Sequence, residues 1–136
     1  MKSLISVMVV LIGLLSFSKP MEAQSFQNQL VTFDLYYNGS TIDYDSYKVY
    51  ARVVTYDGHN GDTAFVATIL PSQLPGSVYI SNSLPVWVPA LIHNNYYRIG
   101  VAIGGIDANG GQHLLETGAS EWCNFSDLFG GLLIKL

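Results

Sequence analysis

Between Tyr97 and Gly104 the chain alternates: Tyr97, Ile99, Val101 and Ile103 are large and apolar, while Arg98, Gly100, Ala102 and Gly104 fall between them. A period of two places the first set on one face of an extended strand and the second set on the other. The same alternation recurs in Val31, Phe33, Leu35 and Tyr37, and again in Tyr47, Val49, Ala51 and Val53. No long helical period of apolar residues follows residue 25, so the core has to be built from strands.

Other segments complete the pattern. Lys48, Tyr50, Arg52, Val54 and Tyr56 form the opposite face of the second strand, long side chains that can cover a sheet while their polar tips stay wet. Residues 63–70 are rich in branched side chains and stop at Pro71, and residues 77–80 form a short run between Pro75-Gly76 and Ser81-Asn82-Ser83. Leu84, Val86 and Val88 alternate with Pro85, Trp87 and Pro89, which predicts an edge strand or a loop covering the core. A strand follows the turn at Asp107-Ala108-Asn109-Gly110-Gly111, and residues 121–125 read as the last regular strand. Short strands separated by turn residues, without crossover helices, predict an all-β fold: a single antiparallel β-sandwich, with a small β-barrel as the alternative.

The first residues differ in composition. Lys2 precedes an almost unbroken apolar run from Leu4 to Phe17, and Ser18-Lys19-Pro20 ends it. That layout is expected of a secretory signal peptide helix spanning residues 1–25, with Ala23 and Ser25 as the small residues at the cleavage site. The run is about 14 residues against the roughly 20 needed to cross a bilayer, so no stable membrane insertion is expected after cleavage. Residues 26–136 then form one domain, secreted or extracellular/periplasmic.

Of the 6 Lys and Arg, Lys2 and Lys19 fall in the leader, leaving Lys48, Arg52, Arg98 and Lys135; of the 10 Asp and Glu only Glu22 falls there. This balance lacks the clustered cations that nucleic acid or an anionic lipid surface requires, so no nucleic-acid partner is expected. Charged residues make up only 12% of the chain, and its nine tyrosines partly replace them as surface polar groups, which suits an exported module for binding, adhesion or assembly. Cys123 is the one cysteine, so no intramolecular disulfide can form, and it reads first as a small buried hydrophobe.

The segment Leu91-Ile92-His93-Asn94-Asn95-Tyr96-Tyr97, followed by Ile99, Val101 and Ile103, resembles the corner before the sixth strand of fibronectin type III domains. In that family the pattern is Leu-x-Pro-x-Thr-x-Tyr-x-(Val/Ile)-x-Val; here His93 replaces the proline and Asn95 the threonine, and the family's early tryptophan is missing, with Phe33 the candidate for its volume. The resemblance covers residues 91–103. It implies an immunoglobulin/fibronectin III-like sandwich used for adhesion and spacing, with no catalytic residues to carry over.

Candidate chemistry lies mostly in turns. Glycines at 110 and 111 do not lead into a helix, so a hairpin turn is expected there rather than a phosphate cradle. Asp57, Asp62 and Asp107 are candidate Ca²⁺ ligands, because carboxylates in loops supply the oxygens that ion requires; solvated turns are the plainer reading, and no cofactor is expected. His59, His93 and His113 have no zinc-site spacing and no Gly-x-Ser-x-Gly elbow accompanies them, so a non-catalytic protein is expected. A small secreted hydrolase is the alternative, and it requires a serine or cysteine beside one of those rings.

Trp87, Tyr96 and Trp122 are the candidate ligand-binding residues of a carbohydrate-binding module, since sugar rings stack on exposed aromatic faces, although Trp122 reads first as core. The partner is otherwise open, protein or glycan. Self-association through an edge strand is a further expectation, with the apolar residues 132–136 as the candidate edge. Asn38-Gly39-Ser40 and Asn124-Phe125-Ser126 satisfy the N-glycosylation sequon. The glycines of the strand at residues 97–104 leave one of its faces nearly bare, which asks what covers it.

Overall fold

The computed structural model describes residues 25–38, 44–88 and 95–136. The expected leader at residues 1–24, His93, and Leu91 of the fibronectin-like corner lie outside the described residues.

Among the described residues there are seven strands, in order β1 (Ser25–Tyr37), β2 (Ser46–Thr55), β3 (Ala64–Ile69), β4 (Gly76–Val88), β5 (Tyr97–Ile106), β6 (Gln112–Ala119) and β7 (Leu132–Lys135). They form two sheets, β4-β1-β7 and β3-β2-β5-β6, arranged as a β-sandwich. Each has open edges, so the closed barrel is not the architecture observed.

The core follows from the alternation. Val31, Phe33, Leu35 and Tyr37 of β1 are buried, as are Tyr47, Val49, Ala51 and Val53 of β2 and Tyr97, Ile99, Val101 and Ile103 of β5. Together with Ile80, Leu84 and Val86 of β4 they make one contiguous cluster between the sheets. Fully burying a side chain such as Phe33 or Ile99 contributes about 1.5–3 kcal/mol, and this shared interior holds the layers together.

Three features depart from the sequence reading. Residues 77–80 and 84–88 are one continuous strand, because Ser81, Asn82 and Ser83 stay in register with Thr32, Val31 and Leu30 of β1. Pro85 is tolerated there because β4 is an edge strand. Residues 121–125 do not form a regular strand: Cys123 makes a single bridge to Tyr97, and the chain then enters a 3₁₀ turn, Phe125–Phe129, where the Asn124 amide donates to Asp127 Oδ2 (3.3 Å). Finally, the sandwich is not wholly antiparallel. β7 runs parallel to β1, pairing Phe33 with Leu132 and Leu35 with Ile134, after the 3₁₀ turn has carried the chain from one sheet to the other. That turn packs against β1 and buries Leu128 completely.

Candidate functional site

β2 and β5 pair along their full length, with Arg52 opposite Gly100, Val54 opposite Arg98 and Thr55 opposite Tyr97. Thr55 and Tyr97 point inward and are buried. One residue further out, the Tyr56 amide donates to the carbonyl of Tyr96 (2.9 Å), so these two side chains continue the outward row of Val54 and Arg98.

Trp122 completes the group. Its ring meets Tyr56 edge to face at 5.2 Å, and the Arg98 guanidinium lies over it, 4.5 Å from its centroid. Tyr56 and Tyr96 meet edge to face at 6.5 Å. The three rings line an open cleft of about 450 Å³. They are 71%, 54% and 37% exposed, so each keeps accessible ring surface. Trp122 is therefore not a core residue, contrary to its first reading: it is held at the surface by Tyr56 and Arg98, because the bridge between Cys123 and Tyr97 fixes its neighbour against the start of β5.

Trp87 stands apart from this cleft. Its ring stacks on His59 at 4.0 Å with an interplanar angle of 3°, and Phe26 meets it edge to face at 5.2 Å. Of the three aromatic candidates, Tyr96 and Trp122 come together and Trp87 is engaged elsewhere. Tyr56 and Arg98 were missed as site residues. Their alternation with Arg52 and Gly100 was visible in the sequence; the strand pairing that sets Tyr56 beside Tyr96 was not.

The turn after β2 is fixed by Asp57. Its Oδ1 accepts from the Thr55 hydroxyl, from His59 Nδ1 (3.0 Å) and from Asn95 Nδ2 (3.4 Å). The His59 bond, followed by that of Thr55, lowers the carboxyl from the usual range to about 2. Asp107 plays a similar part in the β5–β6 hairpin: Oδ1 accepts the amides of Asn109 (2.9 Å) and Gly111 (2.8 Å), and Oδ2 meets His113 Nε2 at 2.8 Å, which also lowers this carboxyl. The expected hairpin is present, with its left-handed angle on Gly110 alone (φ 82°).

These two turns sit at opposite ends of the four-stranded sheet, because Thr55 closes β2 beside Tyr97 whereas Ile106 closes β5 beside Ser46. The candidate Ca²⁺ ligands Asp57 and Asp107 are therefore not brought together. Among the described residues no group of three or more His, Cys, Asp or Glu is placed to hold a metal ion, Asp62 included.

The hydroxyl and thiol chemistry is equally separated. The Thr55 hydroxyl donates to Asp57, and neither the His59 nor the His113 ring bonds a hydroxyl or thiol among the described residues. Cys123 Sγ donates to the Tyr97 carbonyl (3.3 Å), and burial, with a smaller effect of Asp127, pushes the thiol up to about 11. A thiol held protonated in this way is a poor nucleophile at neutral pH. Tyr97 is likewise raised to about 12, by burial and then by the charge of Asp57, and its hydroxyl donates to the Trp87 carbonyl (3.0 Å), tying β5 to the end of β4.

Along the sheet from the aromatic cleft runs a second depression, about 270 Å³, floored by Gly100 and Ala102 and bordered by Tyr50, Arg52 and Thr117. Beyond it the Tyr50 hydroxyl donates to Gln112 Oε1 (3.0 Å), and Gln112 lies over Gly104. Gly105 is covered by the ring of Tyr44. The bare face of β5 is thus closed by the chain itself at Gly104 and stays open at Gly100 and Ala102, whereas Gly105, opposite buried Tyr47, belongs to the inward face.

No family model matches the chain, and neither a curated protein nor a solved structure matches it.

Proposed function

We propose that this chain is an exported, non-catalytic β-sandwich module that binds carbohydrate in the cleft of Tyr56, Tyr96 and Trp122. The observation that carries this reading is the cleft itself: three exposed rings from three separate segments converge on one open depression. Large aromatic side chains kept at the surface cost apolar exposure, which stacking on the apolar face of a sugar ring would relieve. The polar tips of the two tyrosines and the Arg98 guanidinium supply donors for hydroxyl groups.

A fibronectin III-like architecture is supported by the tie of Tyr97 to the preceding strand through its hydroxyl, the role a corner tyrosine plays in such sandwiches. The parallel β7 departs from it. Adhesion to a glycan-coated surface is the biological use this reading favours, because the aromatic cleft is exposed; residues 132–136 form the edge strand β7, paired with β1 on one side only.

A glycan array probed with the full chain tests the reading. Trp122→Ala and Tyr96→Ala each should lower binding about tenfold, in keeping with the worth of one stacked ring, while the circular dichroism spectrum stays that of the parent. Binding to no glycan, or binding indifferent to both substitutions, would overturn it.

A further inference from the structure

Charge on this acidic chain is segregated. Of the four cations beyond residue 25, Lys48, Arg52 and Arg98 all occupy outward positions of the β3-β2-β5-β6 sheet. The register sets them in a row: Arg98 lies opposite Val54, Arg52 two residues back along β2, and Lys48 four residues beyond that. At about 3.3 Å per residue the row spans roughly 20 Å.

The face carries no balancing carboxylate. Glu116 is the one acidic residue within these four strands; it pairs with inward-facing Ile103, and after burial its charge is the next cause that raises the pKa of Tyr37 in the core. Of the carboxylates in neighbouring described segments, Asp57, Asp62 and Glu121 lie in the connections at the end of the sheet near the aromatic cleft, and Asp45 and Asp107 lie at the opposite end, where Asp107 is engaged by His113 and the amides of Asn109 and Gly111. Among the described residues the ion pairs are both between histidine and aspartate, so Lys48, Arg52 and Arg98 have no carboxylate within pairing distance. Two of the three rest instead on rings, Arg98 on Trp122 and Lys48 on Phe65 (5.9 Å), which positions their charge without neutralising it.

The row follows the open floor of Gly100 and Ala102 and starts at the aromatic cleft. We propose that the outer face of this sheet seats an extended acidic glycan: one sugar ring stacks in the Tyr56–Tyr96–Trp122 cleft, the chain lies along the Gly100–Ala102 floor, and carboxylate or sulfate groups meet Arg98, Arg52 and Lys48. This rests on the carbohydrate reading above and adds the ligand's charge and direction. Guanidinium groups are matched to such anions because their forked donors engage two oxygens at once. A floor without side chains beyond Cβ lets a chain of rings lie flat against the sheet, and Arg52, exposed beside Gly100, borders it.

Binding of the full chain to matched polymers tests this, using polygalacturonate against its methyl ester and dextran sulfate against dextran. In at least one pair the charged member should bind about tenfold more tightly at low ionic strength, and the advantage should shrink as salt rises. Arg52→Gln should remove most of that advantage while leaving the neutral member's binding unchanged. Equal affinity within both pairs would overturn the acidic-glycan inference and leave the carbohydrate reading standing, whereas loss of binding to every glycan would overturn both. Poly-glutamate bound as tightly as the acidic polymers would show that charge alone is recognised and would overturn the sugar component.

Discussion

The imidazole of His59 lies flat on the indole of Trp87, 4.0 Å between centroids and 3° from parallel, while its Nδ1 is held by Asp57. One carboxylate thus fixes the ring that clamps the β2–β3 turn onto β4, and the same oxygen takes Thr55 and Asn95.

This arrangement makes the turn sensitive to acid. The folded Asp57 carboxyl stays charged down to about 2, whereas an unfolded one protonates near 3.9. Its contribution to stability is therefore fully present above pH ~4 and is lost as pH falls through ~2. The side chain is half exposed, so the contribution is at most about 1 kcal/mol. Urea unfolding of the parent and of Asp57→Asn should show the parent more stable at pH 6 and the gap closing toward pH 2. A gap independent of pH would contradict the assignment.

Cys123 should be almost inert in the folded chain. Its thiol titrates near 11, so at pH 8 only about one molecule in a thousand carries the thiolate that reacts. Labelling with a disulfide reagent at pH 8 should be at least ~100-fold slower in buffer than in denaturing urea. Comparable rates would mean that the Tyr97–Cys123 bridge opens freely.

Two glycines on one strand should respond oppositely to the same change. A Cβ on Gly105 would sit 2.6 Å from Tyr44 Cγ, whose ring also meets Tyr47 and His113, so Gly105→Ala should cost about 1–3 kcal/mol. A Cβ on Gly100 would meet Arg52 Cγ at an ordinary 3.8 Å, and Gly100→Ala should leave stability unchanged or raise it by up to about 1 kcal/mol. Thermal unfolding of the two variants separates these outcomes.

How far the sequence carried depends on whether a feature is local. The inward rows of β1, β2 and β5 are legible because a period of two needs no knowledge of partners, and Gly110 marks its turn by itself. Ser81-Asn82-Ser83 misleads because those residues favour turns locally, yet pairing with β1 overrides the preference. Tyr56 beside Tyr96, and Trp122 beneath Arg98, depend on the register between β2 and β5 and on the bridge at Cys123. The sequence shows that the cations are few, while the face they share depends on that same register.

The C-terminal strand combines a core contact with an open sheet edge. Residues 132–136 are the candidate segment for pairing with a second chain, and as β7 they form an edge of the first sheet: Ile134 is buried and the Leu136 amide donates to the Tyr36 carbonyl (2.8 Å), while the side of β7 away from β1 pairs with no strand among the described residues. Leu133 on the same strand is half exposed. Ile134→Ala should therefore cost about 2–5 kcal/mol, as a core truncation does, whereas Leu133→Ala should stay within about 0.5 kcal/mol. Deleting residues 132–136 should abolish cooperative unfolding altogether, because β1 loses a neighbour along Phe33–Tyr36 and the core loses Ile134. A deletion variant that remains cooperatively folded and differs from the parent only in its mass by light scattering would show instead that the segment serves an interface between chains.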